Sequence, residues 1–141
     1  MSPPSINLLR YALWFAGSSL VVLTFVLIFQ QAFGITLGSA FVPIIPAMIA
    51  AMVEGSHWAK GSREPMPQPW KAAGTMTGIA VLITGVLILA TTPSALGMGL
   101  EGLRVVAILL VVYAIFWLVT NRLFLYMGAR NEWANQDRRR G

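Results

Sequence analysis

Long apolar stretches broken by short polar ones organise this chain. Residues 11 to 53 contain no Asp, Glu, Lys or Arg. One bilayer crossing takes about 20 helical residues, so this run suits two crossings joined by a turn. The break falls at QQAFGITLGSAFVP, where Gln30, Gln31, Gly34, Gly38, Ser39 and Pro43 interrupt the pattern. Gly and Pro end helices and permit reversals. The pattern predicts a first span over 9–33 and a second over 39–58. Pro43 and Pro46 fall in the first turns of the second span, where a missing N–H costs least.

A second uncharged stretch, residues 72 to 100, predicts a third span over 72–92 closed by Pro93. PSALGMGLEG then reads as a turn. A fourth span over 103–127 carries Arg122, its stem along apolar surface and its head reaching water. The expected fold is an all-α membrane protein, four transmembrane helices in an up-down-up-down bundle. It forms one domain over 1–141, with a basic loop at 59–71 and a frayed polar tail at 129–141. The first apolar run exceeds the core of a signal peptide and no small-x-small cleavage site follows it, so it reads as retained.

Composition agrees. Hydrophobic residues make up 57% of the chain and charged ones 11%, where a soluble domain carries about a quarter charged. The absence of cysteine removes disulfides, thiolate metal sites and cysteine nucleophiles. The net charge of +5 flanks the spans rather than forming a nucleic-acid patch. Arg10, the loop residues Lys60, Arg63 and Lys71, and the C-terminal Arg122, Arg130 and Arg138 to Arg140 all fall on one side. The other connections carry only Arg104, offset by Glu101. The positive-inside rule makes the basic side cytoplasmic and places both termini there. The expected location is a bacterial inner membrane, with the lipid bilayer as partner and no nucleic acid. Trp14, Trp58 and Trp70 fall near the same side as interface anchors.

Helix association in lipid needs close backbone approach or hydrogen bonds. Gly74, Gly78 and Gly85 share one face of the third span, and Ala47, Ala51 and Gly55 recur every four residues on the second. These two seams predict a tightly crossed second–third pair, which Gly78→Leu would disrupt. Thr75, Thr77, Thr84 and Tyr113 are polar groups at membrane depth, expected to bond backbone or acceptors inside the bundle.

Candidate chemistry concentrates in VEGSHWAKGSREPMPQPW. Glu54 and His57, three apart, share a helix face. In form this is a Glu-x-x-His unit, but di-metal carboxylate bundles need two such units plus two further glutamates. No metal site is expected, and with one histidine no bis-histidine haem. No cofactor is expected either. A carboxylate in a membrane helix is functional by default. Glu54, however, sits about one turn, roughly 6 Å, from the expected helix end. A negative charge there calls for a basic neighbour among Lys60, Arg63 and Lys71. Glu54, His57, Lys60, Arg63 and Lys71 thus form the candidate functional cluster, and an interfacial structural role outweighs a catalytic or transport one. No nucleophile–base arrangement or phosphate loop occurs. The alternating prolines of REPMPQPW give a stiff connector.

The run PAMIAAMVEGSHWAKGSREPMPQPWKAAG resembles the signature region of a family of small four-span bacterial inner-membrane proteins of unassigned function, the ABZJ type. Pro46, Ala47, Gly55, Trp58, Arg63, Pro65 and Trp70 carry the likeness, over about a fifth of the chain. The resemblance implies four spans and an inner-membrane location, and it implies no activity. Four-span small multidrug exporters depend on a glutamate deep in the first span, and this first span has no carboxylate. The expected function is a non-enzymatic accessory or assembly role through helix contacts, within a larger membrane complex or by self-association. The alternative is a small homo-oligomeric transporter or channel using Glu54 and His57. A membrane enzyme comes third.

Overall fold

A computed structural model describes residues 5–34, 42–91, 97 and 99–141. Among these the chain folds as α1 (Leu8–Phe33), a 3-10 turn (Val42–Ile44), α2 (Ile45–Gly61), α3 (Pro69–Thr91) and α4 (Gly99–Arg140). Of the breaks expected over 30–43 and 93–102, residues 35–41, 93–96 and 98 lie outside the described residues, as do 39–41 of the expected second span, while 30–33 and 99–102 are helical. Three helices, α1, α3 and α4, are long and apolar enough to cross a membrane. They expose Leu20, Val21, Phe25, Leu82, Val86, Ile108 and Val111. Such a surface inverts that of a water-soluble bundle and suits hydrocarbon as solvent.

The expected second span over 39–58 takes a different form. α2 has 17 residues and is about 26 Å long at 1.5 Å per residue. Its start lies part-way along its neighbours. Trp117, well inside α4, donates its Nε1–H to the Pro43 carbonyl at 2.9 Å. Pro43 and Pro46 share a groove with Leu23 of α1 and Leu87 of α3. The prolines at the entry of α2 are tolerated because early helical N–H groups lack partners anyway. α2 is shorter than α1 and α3, with its entry beside Leu23 of α1 and Thr91 at the end of α3.

Directions alternate along the chain. Pro43 meets Trp117 and Arg63 meets Asp137, so α2 and α4 run parallel. Thr77 meets Asn121 and Gly85 faces Leu110, so α3 and α4 run antiparallel. α2 packs on α1 and α4, and α3 packs on α1 and α4, which leaves α2 and α3 on a diagonal.

The expected glycine seam between the second and third spans is thus corrected. A Cβ on Gly74 or Gly78 would meet nothing within 4 Å, and one on Gly85 would touch only the Leu110 side chain, at 3.5 Å. The close crossing is between α2 and α4. A Cβ on Gly55 would overlap the Leu125 carbonyl, and one on Gly128 the Met52 carbonyl. Ala47, Ala50 and Ala51 extend the same buried stripe on α2. The spacing pointed to the right residues on α2 but could not choose their partner. The longer α4 offered Trp117, Asn121, Leu125 and Gly128 on one face.

The tail is a second correction. α4 has 42 residues, about 63 Å, roughly twice a hydrocarbon core of about 30 Å. Residues 129–140, expected to fray, are helical. The reason lies at the C-terminus of α2, whose last carbonyls have no partners within their own helix. Gln136 Nε2 donates to the Ala59 carbonyl at 3.2 Å, and Trp133 Nε1 to the Ser62 carbonyl at 2.8 Å. Ser56 donates to Glu132, and Arg63 to Asp137.

The packed core gathers between the first turns of α1, the first halves of α2 and α3, and the middle of α4. Tyr11, Phe15, Ala47, Ala50, Ala51, Met76, Ala80, Trp117 and Leu125 form it. The Trp117 ring meets Phe15 edge-on and stacks on Tyr113. From Ala16 to Phe33, no residue of α1 is fully buried.

Candidate functional site

Asn7, just before α1, builds this site together with α1 and α2. Asn7 caps α1, its Oδ1 accepting the Arg10 backbone N–H at 3.0 Å. That cap presents the Asn7 backbone N–H to Glu54 Oε2 at 3.1 Å. One turn into α1, the Arg10 guanidinium grips the same carboxylate with both prongs. Its Nη2 donates to Oε2 at 2.9 Å and its Nε to Oε1. Glu54 is 1% exposed, whereas the Arg10 side chain keeps 29% of its surface open. A planar two-pronged guanidinium–carboxylate pair is among the strongest charge-assisted contacts. Burying a carboxylate is costly unless its oxygens are this fully engaged.

At the next residue of α1 an uncharged relay starts. Tyr11, 0% exposed, donates its O–H to Asn121 Oδ1 at 2.9 Å. Asn121 passes its own Nδ2–H to Thr77 Oγ1 at 3.2 Å. Three helices are tied by two bonds, and each buried group has a partner. Such networks specify one packing arrangement.

The residues expected to cluster with Glu54 stand apart. His57 is exposed and turns Nδ1 to the Val53 carbonyl of its own helix, at 3.0 Å. The Glu-x-x-His pair therefore does not converge: Glu54 faces inward and His57 outward. Lys60 and Lys71 are exposed, and Arg63 is held by Asp137 at 2.7 Å at the surface. The basic neighbour anticipated for Glu54 exists, but α1 supplies it. Antiparallel packing places the start of α1 beside the end of α2. The loop cations project away from that side.

The tryptophans divide as well. Trp14 and Trp70 are exposed, as an interface anchor requires. Trp58 is instead largely buried and donates Nε1–H to the Glu64 carbonyl at 3.2 Å, tying the connector back onto α2. Thr75 bonds the Lys71 and Ala72 carbonyls of its own helix, as its type predicts. Arg10, Asn121, Gly128 and Trp117 escaped the reading of the sequence. A signal for Arg10 was present: once α1 and α2 are antiparallel, Arg10 is the one charge of α1 and Glu54 the one carboxylate of α2. Comparison with family models, curated proteins and solved structures finds no match for the chain.

Proposed function

We propose that this protein is an integral inner-membrane component with both termini cytoplasmic, acting without catalysis as an accessory or assembly subunit through helix contacts. One observation carries the reading. Glu54, the buried carboxylate among the described residues, has both oxygens engaged by Arg10 and the Asn7 backbone. A coupling carboxylate in a transporter must exchange a proton or an ion with its surroundings. This one is a fastening.

What is left for function is surface. α1 buries only Tyr11 and Phe15 of its 26 residues, and Gly74 and Gly78 of α3 face outward with open space before them. Small residues on a lipid-facing helix permit close approach of another helix. The basic end, where Lys60, Arg63, Lys71 and Arg138 to Arg140 gather, fits the cytoplasmic side by the positive-inside rule. The likeness to the ABZJ-type family is in keeping with this reading.

The test is affinity capture of the tagged full chain in mild detergent, with mass spectrometry of what co-purifies. A larger membrane partner or a second copy at fixed stoichiometry is expected. Substrate flux in proteoliposomes that Glu54→Gln abolishes would overturn the proposal in favour of transport.

A further inference from the structure

Among the described residues, Arg122 is a half-buried cation with no ion-pair partner. Its Nε is buried and has no hydrogen-bond partner. Among the described residues, the ion pairs belong to Arg10 and Arg63, so no carboxylate answers Arg122. Buried donors without partners are rare and call for explanation. The guanidinium carbon stands 5.8 Å over the Trp70 ring, a cation–π contact that holds the group without neutralising it.

Two hollows meet at this side chain. On one side is a cleft of about 150 Å³ lined by Trp58, Met66, Leu125, Tyr126 and Trp133. On the other, a shallower groove runs past Trp70, Val119 and Leu123. Val119 and Leu123 are exposed on the apolar face of α4. Arg122 ends an uncharged run that begins after Arg104, so it marks where the apolar layer stops. A cation, tryptophans and a tyrosine lie at that level, with an apolar groove leading away from it.

We propose that Arg122, with Trp70 and Tyr126 beside it, binds the headgroup phosphate of an anionic phospholipid whose acyl chain lies in the Val119 groove. The phosphate oxygens accept from the two guanidinium Nη groups, the buried Nε being out of a ligand's reach, and arginine suits planar recognition of a phosphate. The tryptophan and tyrosine rings pack the glycerol region, where such amphipathic rings prefer to sit. The net negative charge of the headgroup selects it over a zwitterionic one, whose ammonium would meet the guanidinium. The site needs the chain to be membrane-embedded, but it does not depend on an accessory role.

Native mass spectrometry of the detergent-solubilised full chain, titrated with phosphatidylglycerol or phosphatidylcholine, tests this directly. The first phosphatidylglycerol should bind roughly five- to tenfold more tightly than the first phosphatidylcholine, as expected for one cation at the membrane surface with charge-assisted bonds. Arg122→Gln should erase that preference. Arg130→Gln, which removes an exposed positive charge two turns further along α4, should leave it intact. Millimolar inorganic phosphate should not displace the lipid.

Equal affinities in the unaltered protein would overturn the proposal, and that comparison does not depend on how any variant folds. So would a preference that survives Arg122→Gln, an equal loss in Arg130→Gln, or displacement by inorganic phosphate. The last result would assign the site to a free anion. Resistance of the chain to carbonate extraction tests membrane embedding separately.

Discussion

Alanine at four glycines separates the crossing that holds this bundle from the glycines that merely resemble one. At Gly55 the added methyl would lie 2.9 Å from the Leu125 carbonyl carbon and 3.0 Å from the Ala129 nitrogen. At Gly128 it would lie 2.9 Å from both the carbonyl carbon and the Cα of Met52. Carbon pairs settle at about 3.5–4.0 Å, so α2 and α4 must part by at least about 0.6 Å. The obstructing atoms are backbone, which cannot rotate away. Each substitution therefore costs near the upper end of the 1–3 kcal/mol typical of overpacking, about 3 kcal/mol. Replacing Gly by Ala also favours a helix by about 1 kcal/mol. That gain is common to all four sites and cancels when they are compared. Gly74→Ala and Gly78→Ala, with nothing within 4 Å, keep the gain alone. The two pairs should differ by about 3 kcal/mol, on the order of 10 °C in apparent melting temperature. Heating detergent-solubilised protein and measuring the monodisperse fraction by size-exclusion chromatography gives the ranking. If all four variants melt within about 2 °C of one another, the α2–α4 crossing is not where the structure places it.

Arg10→Ala strands a buried carboxylate and should destabilise by about 3–5 kcal/mol; adding Glu54→Gln to it should recover part of the loss in the same melting assay. A double variant no more stable than Arg10→Ala would refute the ion-pair reading. Tyr11→Phe removes one donor of the Tyr11–Asn121–Thr77 relay and should cost about 0.6–1.5 kcal/mol, as measured for hydrogen bonds between membrane helices; an unchanged melting point would place Asn121 elsewhere. Trp133→Phe together with Gln136→Ala uncaps two carbonyls at the end of α2 and should speed proteolysis in the connector at residues 62–68, read by fragment mass; no change would deny the cap its role. Asp137→Asn breaks an exposed pair whose side chains are 53% and 64% open, so stability should shift by less than about 1 kcal/mol. A larger shift would mean that the C-terminal helix depends on that pair.

Period and hydropathy made the long helices legible. Residues 9–33 and 72–92 match α1 and α3 to within a few positions, because an apolar run bounded by polar residues has one economical solution in lipid. For α2 the same rule expects a longer span than the 17 helical residues that run from Ile45. It counts apolar residues along the chain, and Phe41 to Val53 is as apolar as a span should be. Where α2 begins in depth is fixed by the Pro43 carbonyl meeting Trp117, a pairing no local pattern encodes. The tail misled for a related reason. Its composition is that of a solvated end, yet Trp133 and Gln136 are bound to carbonyls more than 70 positions earlier. Glycine spacing gave helix faces without addresses: Gly55 met a partner, while Gly74 and Gly78 did not.

A carboxylate in a membrane helix is read as functional because isolated burial is so costly. That inference turns on what answers the charge, and here depth and direction supply the answer. Glu54 lies near the end of α2, and α1 begins beside it. The cap at Asn7 turns a backbone N–H toward the carboxylate, and Arg10 follows one turn later on the same side. The pair ties α1 to α2 beside the apolar contacts of Tyr11 and Phe15. Asn121 does the same for α4 against α1 and α3. In both cases the polar group is answered from across the bundle, by a helix distant in sequence. Arg122, one residue after Asn121, has no such answer among the described residues. The distinction that matters in this fold is therefore between buried polar groups the bundle satisfies and the half-buried guanidinium it leaves unpaired.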